Sequence, residues 1–445
     1  YKLLIYRRLN INLTQYCFII MIGKKKIGLA LSGGGYRAAA YHIGTLRALH
    51  KLNVLDKVDV ISSVSGGSIT AAYYVLNKDK GFDTFEKSFK EKLKHNVLWI
   101  AIIELLLVIG AIVAIVRFSP DGYGVRSLVG CIVLLLLVWY YVLPVSKFIE
   151  WAYCLLFFKG AKLDSLPDSP VLAINSTDLS TGNQFTFSQD RMTCYPYRKN
   201  LQFKTSGFPL ARAVMASSCV PQFFSPIKIG KKYRTGKSLK KPLLVDGGLY
   251  DNQGAHKFES SDSHYAVDYA IVSDAGNSEI SSKRCINPIG TLIMTSEILM
   301  KRIKNFQRQH NSYIPDYKKK VMYAYNDLLW DEYETFPCRF VQNIKAGYIT
   351  KQVLDAHGIS NEMLSQLRDD QTYEDAFKEI LSLVEKNIGW QQLLQRVPKN
   401  HTVAVKVCTN LVGLTDKKIN ALIEHSEWMT EVQVRMHLPF LLKNN

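Results

Sequence analysis

Three short stretches combine residue types that suit acyl-transfer chemistry. The first is Ser32-Gly33-Gly34-Gly35-Tyr36-Arg37, which follows the apolar run IGLAL and precedes a helical pattern, AAAYHIGTLRALHKL. Three glycines let the backbone aim several N–H groups at one point, and the start of the next helix adds a positive dipole end, so this turn is an anion cradle. It is neither a G-x-G-x-x-G dinucleotide fingerprint, since Ala38 takes the third glycine's place, nor a Walker A loop, whose Lys-Ser/Thr pair is missing. The second stretch, Ser63-Val64-Ser65-Gly66-Gly67, ends the run VDVISSV and opens the helical pattern SITAAYYVL. A serine on a sharp strand-to-helix turn, with glycines clearing its Oγ, has the logic of a nucleophile elbow. Its other reading is a helix N-cap. The third, Asp246-Gly247-Gly248, closes the apolar run LLV. A carboxylate at a strand's C-terminal end lies where α/β sheets gather their ligands, although a lone D-G is also an ordinary turn.

Such residues can act together only if a sheet brings their turns to one edge. Short β-rich runs occur at 27–31, 58–62, 171–175, 243–245 and 269–272, several followed by Gly or Ser turns and helical periodicity. That alternation predicts an α/β fold, a mostly parallel sheet with helices on both faces. Beyond residue 288 the strand signals fade and helical patterns dominate, which predicts a mainly helical C-terminal region over 288–445.

Taken in order, the motifs resemble those of the patatin-like phospholipases, serine acyl hydrolases that use a Ser-Asp dyad. The family's G-G-G-x-R/K oxyanion loop is matched from Gly33 to Arg37, its G-x-S-x-G elbow from Ser63 to Gly67, and its D-G-G/A motif from Asp246 to Gly248. NSTDLSTGNQFTF at 175–187 and ARAVMASSCVPQFFSPI at 211–227 also resemble it, while Ala38 and Ser63 depart from its pattern. The resemblance spans 27–275 apart from an apolar insertion, and it implies a three-layer patatin-like sheet. It implies Ser65 as nucleophile and Asp246 as base, with an oxyanion hole of Gly33, Gly34, Gly35, Arg37 and Gly66. Ser63, Gly67, Gly247 and Gly248 support the motif, and no cofactor or metal is implied. The implied function is hydrolysis of acyl esters in membrane (phospho)lipids. Its rivals are an esterase or thioesterase for soluble substrates and a catalytically idle membrane scaffold. Arg37 reads as a loop-orienting or phosphate-attracting cation, or as a surface charge. His256 offers a Ser-His-Asp arrangement with Asp246 as orienter, and His42, inside the first helix, reads as a packed residue.

The chain has 445 residues, 47% hydrophobic and 21% charged, which excludes a disordered or collagen-like protein and leaves room for two or three domains. A net charge of +18 points to an anionic partner. Without a nucleic-acid motif, the expected partner is an anionic lipid surface and not nucleic acid, met by the basic loop of Lys228, Lys231, Lys232, Arg234, Lys237, Lys240 and Lys241. Eight scattered cysteines without C-x-x-C read as reduced thiols and not as a zinc site. Two apolar runs, 97–116 and 128–143, are joined by the turn-rich RFSPDGYGVRS and predict a transmembrane helical hairpin. A buried or re-entrant hairpin is the alternative. Lys90, Lys92, Lys94, Lys147, Lys159 and Lys162 flank it, which places both flanks and the catalytic part in the cytoplasm of a multi-pass membrane protein. Residues 148–158 are expected along the interface. The expected organisation is an N-terminal segment at 1–26, with translation starting at Met21, then catalytic parts at 27–96 and 161–287 around a hairpin segment at 97–160, then 288–445.

Overall fold

The structure, a computed structural model, describes residues 25–97, 145–194, 202–221, 224–235, 241–259, 264–276, 288–314 and 319–442, with scattered positions between 99 and 133. Residues covered on both sheet faces favour apolar and β-branched runs, and such runs, IGLAL, VISSV, the VLAI that opens VLAINSTD and the YAIV that opens YAIVSD, become the central strands. In chain order the sheet contains β1 (Ile27–Leu31), β2 (Val60–Val64), β3 (Val171–Asp178), β4 (Asn183–Phe187), β5 (Met192–Cys194), β6 (Ile227–Lys228), β7 (Leu243–Asp246), β8 (Tyr269–Asp274) and β9 (Met322–Asp327). Its order is β9-β8-β1-β2-β3-β4-β5, with β7 on β3 and β6 on β7. The pairs from β9 to β3 are parallel, and the remaining pairs are antiparallel. Mixed α/β is therefore the observed class. The C-terminal region, expected to be mainly helical, supplies one strand to this sheet, β9.

Seven helices matter for the site: α1 (Gly35–Lys51), α2 (Gly66–Asn77), α3 (Phe82–Leu93), α4 (Val145–Tyr153), α5 (Leu210–Ser217), α6 (Pro288–Ser312) and α7 (Asp416–His437). α1 is buried along nearly its whole length because α7 lies against it. Ile419, Leu422, Ile423 and Val434 of α7 join the main core around α1, whereas Trp428, Met429, Val432 and Met436 join a second core with Phe340, Ile380 and Val384. One helix thus belongs to both cores.

The spanning hairpin does not hold. Crossing a hydrocarbon layer of about 30 Å takes about 20 apolar residues in one unbroken helix. Among the described residues no helix is long and apolar enough to do so. α6 and α7 have the length, 25 and 22 residues, but carry charges such as Lys301, Arg302, Asp416 and Glu431. The runs at 97–116 and 128–143 lie largely outside the described residues. A hydropathy window counts apolar residues without establishing that they share one helix, and the multi-pass membrane localisation inferred from it, with its cytoplasmic catalytic side, is corrected accordingly. Residues 148–158, expected at an interface, bury Phe148, Ile149, Tyr153, Phe157 and Phe158 in the main core and leave Trp151 and Leu155 exposed. The segment 1–24 and part of the basic loop, 236–240, also lie outside the described residues.

Candidate active site

The register of β3 explains why the serine and aspartate turns meet. β2 pairs with β3 up to Val64 opposite Asn175, and β7 takes over the next position with Asp246 opposite Ser176. β4 pairs with those same β3 residues from the other side, so β2 and β7 share one edge of β3 end to end. Ser65, one residue past the end of β2, therefore abuts Asp246, the last residue of β7.

Ser65 has φ 50° and ψ −117°, a conformation that side chains rarely adopt and that holds a serine clear of the strand it terminates. As a cap of α2 it makes no side-chain hydrogen bond, so the N-cap reading has no support in the geometry. Its hydroxyl instead lies beside the Asp246 carboxylate on one cavity, and that carboxylate accepts from the Gly248 N–H at 2.7 Å. Burial pushes the Asp246 carboxyl up to about 6, against the lowering effect of Gly248 and Ser65. The Ser65 N–H donates to Ser217 Oγ at 2.9 Å, and that hydroxyl donates onward to the Asn175 carbonyl at 2.6 Å. The Asp246 N–H donates to the Cys219 carbonyl at 2.8 Å and the Gly247 N–H to that of Ser217 at 3.1 Å. The end of α5 thus holds the elbow and the aspartate strand together.

The glycine loop closes over the same point. Gly34 and Gly35 have φ of 140° and 58°. A Cβ on Gly66 would fall 2.1 Å from the Gly35 carbonyl oxygen, so the two turns touch backbone to backbone. Gly35 and Gly66 begin α1 and α2, where N–H groups lack intrahelical acceptors. The Gly33 N–H, by contrast, donates to the Asn252 carbonyl at 2.9 Å, and that of Gly67 to Ser32 at 3.1 Å. Arg37 is fully buried and not a surface charge. Its Nε donates to the Ala275 carbonyl at 3.0 Å and its Nη1 to that of Val407 at 3.3 Å, and burial lowers its pKa to about 10. His42 is packed as expected, its ring nitrogens 2.8 Å from Ser273 Oγ and 2.9 Å from the Ser32 carbonyl. His256 lies by Tyr250, 3.4 Å from its hydroxyl, and its N–H donates to Asp251, so the structure does not bring it to Asp246. Ser63 donates to the Ala173 carbonyl, a contact within the sheet. Among the described residues no group of three or more His, Cys, Asp or Glu is placed to hold a metal ion.

A family model for patatin-like phospholipases matches residues 29–258, slightly more than half of the sequence. The chain belongs to the patatin-like phospholipase family. The family is described as one of phospholipases. Among solved structures it is similar to human GIVD cytosolic phospholipase A2, at 12% identity and a TM-score of 0.48, covering 94% of this chain and 63% of that one. A second structure of the human enzyme, with methyl gamma-linolenyl fluorophosphonate inhibitor and terbium chloride, gives 12%, 0.46, 94% and 59%. VipD from Legionella pneumophila gives 12%, 0.31, 92% and 92%. The chain thus spans about three fifths of the human chains it matches. No curated protein matches it.

In this patatin-like chain a cavity of about 120 Å³ opens over Ser65, Asp246, Gly34 and Asn252. At about 30 Å³ per water this holds an ester group and its nearest atoms but not acyl chains. Beyond the family-model match, α6 supplies Ser296, Glu297, Met300 and Lys301 to its wall, and Thr409 adds to it. A larger cavity of about 930 Å³, lined by Tyr73, Phe85, Lys92, Phe157 and Lys159, shares none of these residues. The sequence did not reveal Ser217, Asn252 or the α6 wall. Asn252 fits because glycines clear room for it: a Cβ would fall 2.3 Å from its Oδ1 at Gly33, 2.7 Å at Gly248 and 2.1 Å from its Nδ2 at Gly276. Those glycines were the only available signal, and they are far apart in sequence.

Proposed function

We propose that this chain hydrolyses acyl esters of phospholipids through a Ser65-Asp246 dyad. Asp246 takes the hydroxyl proton as Ser65 Oγ attacks the ester carbonyl. The N–H groups of Gly34, Gly35 and Gly66 hold the oxyanion, an interaction worth about 3 to 4 kcal/mol per donor in serine hydrolases. Collapse of the tetrahedral species breaks the C–O bond, and the leaving alcohol carries off the proton from Asp246. Water, deprotonated by Asp246 in turn, then attacks the acyl-serine, and collapse of this second tetrahedral species breaks the Ser65 Oγ–acyl bond, Asp246 returning its proton to Oγ as the fatty acid leaves. Gly33, Arg37, Ser63, Gly67 and Gly247 hold the two turns in place, and Gly248 also donates to Asp246. In this reading the catalytic part is 27–96 with 161–287, and 288–445 contributes a wall. The observation that carries it is the juxtaposition of strained Ser65 with buried Asp246 on one cavity, beside helix-start N–H groups. The test is fatty acid release from phospholipid vesicles by wild type and by Ser65→Ala: equal release would sink the proposal.

A further inference from the structure

α6 has two faces with different tasks. On the inner face Lys304, 5% exposed, pairs with Asp274 at 2.9 Å and Asp327 at 2.7 Å, and buried Asn311 donates to the Tyr325 hydroxyl at 3.0 Å. Lys304 and Asn311 are seven residues apart, so they lie on one side of the helix and fix its rotation. Ser296, Glu297, Met300 and Lys301 look into the cavity over Ser65. The opposite face carries a heptad row: Leu292 is 60% exposed, Leu299 54% and Phe306 71%, followed just past the helix end by Tyr313 at 43%, with Ile298 beside them at 50%. These side chains recur every two turns along one line of the helix, with exposed Thr295, Arg302 and Gln309 between them, and large apolar side chains exposed at such regular spacing mark an interaction surface. Arg302, also exposed, stands within the row, and the helix's one acidic residue, Glu297, points the other way, into the cavity. The outer face is therefore apolar and positive, the pairing that suits an amphipathic helix lying in an anionic lipid–water interface.

We propose that α6 seats this protein on the surface of an anionic phospholipid layer, lying along it without crossing it, with Leu292, Leu299, Phe306 and Tyr313 entering the layer. The inference rests on the Ser65-Asp246 reading for its purpose and on the geometry of α6 for its substance. A cavity of about 120 Å³ has no room for acyl chains. A lipid therefore leaves its chains outside the cavity, and α6, touching the layer with one face and walling the cavity with the other, brings the site within one helix diameter, about 10 Å, of the layer. A second copy of this chain is the competing occupant, but antiparallel pairing of the row would bring Arg302 of each copy near the other. Binding is measured by sedimentation with phosphatidylcholine vesicles, with and without phosphatidylserine, in a Ser65→Ala background so that the vesicles stay intact. Leu292→Ser/Leu299→Ser/Phe306→Ser should weaken binding about 100-fold. Its turnover of a short soluble ester, measured with Ser65 restored, should stay within about twofold. Arg302→Glu should weaken binding only where phosphatidylserine is present. Phe306→Trp keeps the apolar bulk, and its emission should be quenched by vesicles with brominated acyl chains beyond the quenching of wild type. Unchanged vesicle binding by the triple variant, no added quenching in Phe306→Trp, or conversion of a dimer to a monomer by the triple variant without loss of vesicle binding would each overturn the proposal. If Ser65→Ala kept full hydrolysis, the dyad would fall while the binding results still stood.

Discussion

At the scale of single residues, the site stores two costs that a purely structural turn would avoid. Ser65 holds a left-handed φ of 50°, and Asp246 keeps a carboxyl out of water, with its pKa pushed up to about 6. Both Ser65→Ala and Asp246→Asn are expected to lower kcat about a thousandfold or more on vesicle and soluble esters alike, because nucleophile and base act as one unit. His256→Ala, whose ring faces Tyr250, should stay within about twofold of wild type. Equal inactivity of His256→Ala would favour a triad over the dyad. The Asp246 pKa has two further consequences. The base must be ionised, so kcat/KM should rise with pH around an apparent pKa near 6 and then level off. Between about 4 and 6 the folded state binds the Asp246 proton more tightly than the unfolded chain does, so this group's contribution to stability falls as pH rises through that window. The distance from the ordinary value of 3.8 to about 6 corresponds to about 3 kcal/mol. Asp246→Asn, though inactive, should therefore be more stable than wild type at pH 7.5 by up to that amount, with the advantage gone at about pH 4. Urea unfolding at the two pH values checks it, and an Asn variant less stable at pH 7.5 would contradict the shift.

At the scale of elements, the end of α5 ties the two catalytic turns together. Ser217→Ala would leave the buried Ser65 N–H without its acceptor and the Asn175 carbonyl without its donor. The expected cost is about 1 to 3 kcal/mol of stability. A larger fall in kcat than rise in KM is also expected, since the elbow shifts more than the cavity wall does. Kinetics with a soluble ester and urea unfolding separate the two effects. The strands and both glycine turns were legible because they are local: β1 is an unbroken apolar run, IGLAL, β2 is a short β-rich run, VISSV, and each ends in a Ser- and Gly-containing turn. β9 was not legible, since MYAYND mixes tyrosines with polar residues and sits among helical patterns, and only its pairing with β8 marks it as a strand. Ser217 lies in a stretch of small residues, A-S-S-C, whose resemblance to the family was visible in sequence, but its hydrogen bonds reach 152 positions back to Ser65 and could not be read there. The hairpin expectation rested on hydropathy alone, which registers composition, and among the described residues no helix is long and apolar enough to cross a membrane.

At the scale of the whole molecule, the part of the chain beyond residue 288 completes the site from behind as well as in front. The Tyr36 N–H donates to the Asn410 carbonyl at 2.8 Å, Arg37 reaches Val407, and a Cβ on Gly35 would fall 2.5 Å from the Asn410 oxygen, so the glycine loop is moulded against residues 407–410. Behind it, α1 and α7 share buried hydroxyls: Thr45 Oγ1 lies 2.7 Å from Ser426 Oγ and 3.2 Å from Thr430 Oγ1. Gly44 permits that approach. A Cβ there would fall 2.2 Å from the Ile423 carbonyl oxygen and 2.9 Å from the Glu427 nitrogen, both backbone atoms that cannot swing aside. Gly44→Ala must therefore push α7 away from α1. Overpacking of this kind costs about 1 to 3 kcal/mol. Because α1 starts at Gly35, the displacement should reach the N–H groups that are to hold the oxyanion. The expected outcome is a lower Tm together with a kcat reduced about tenfold or more while KM changes little, since one missing oxyanion donor alone costs about 10²- to 10³-fold. Gly230→Ala, where the nearest atom would be a Tyr233 ring carbon at 3.8 Å, should change neither quantity. A Gly44→Ala enzyme with lowered Tm but full kcat would mean that the glycine loop is held by its local contacts alone, and that the C-terminal region contributes to the fold without tuning the chemistry.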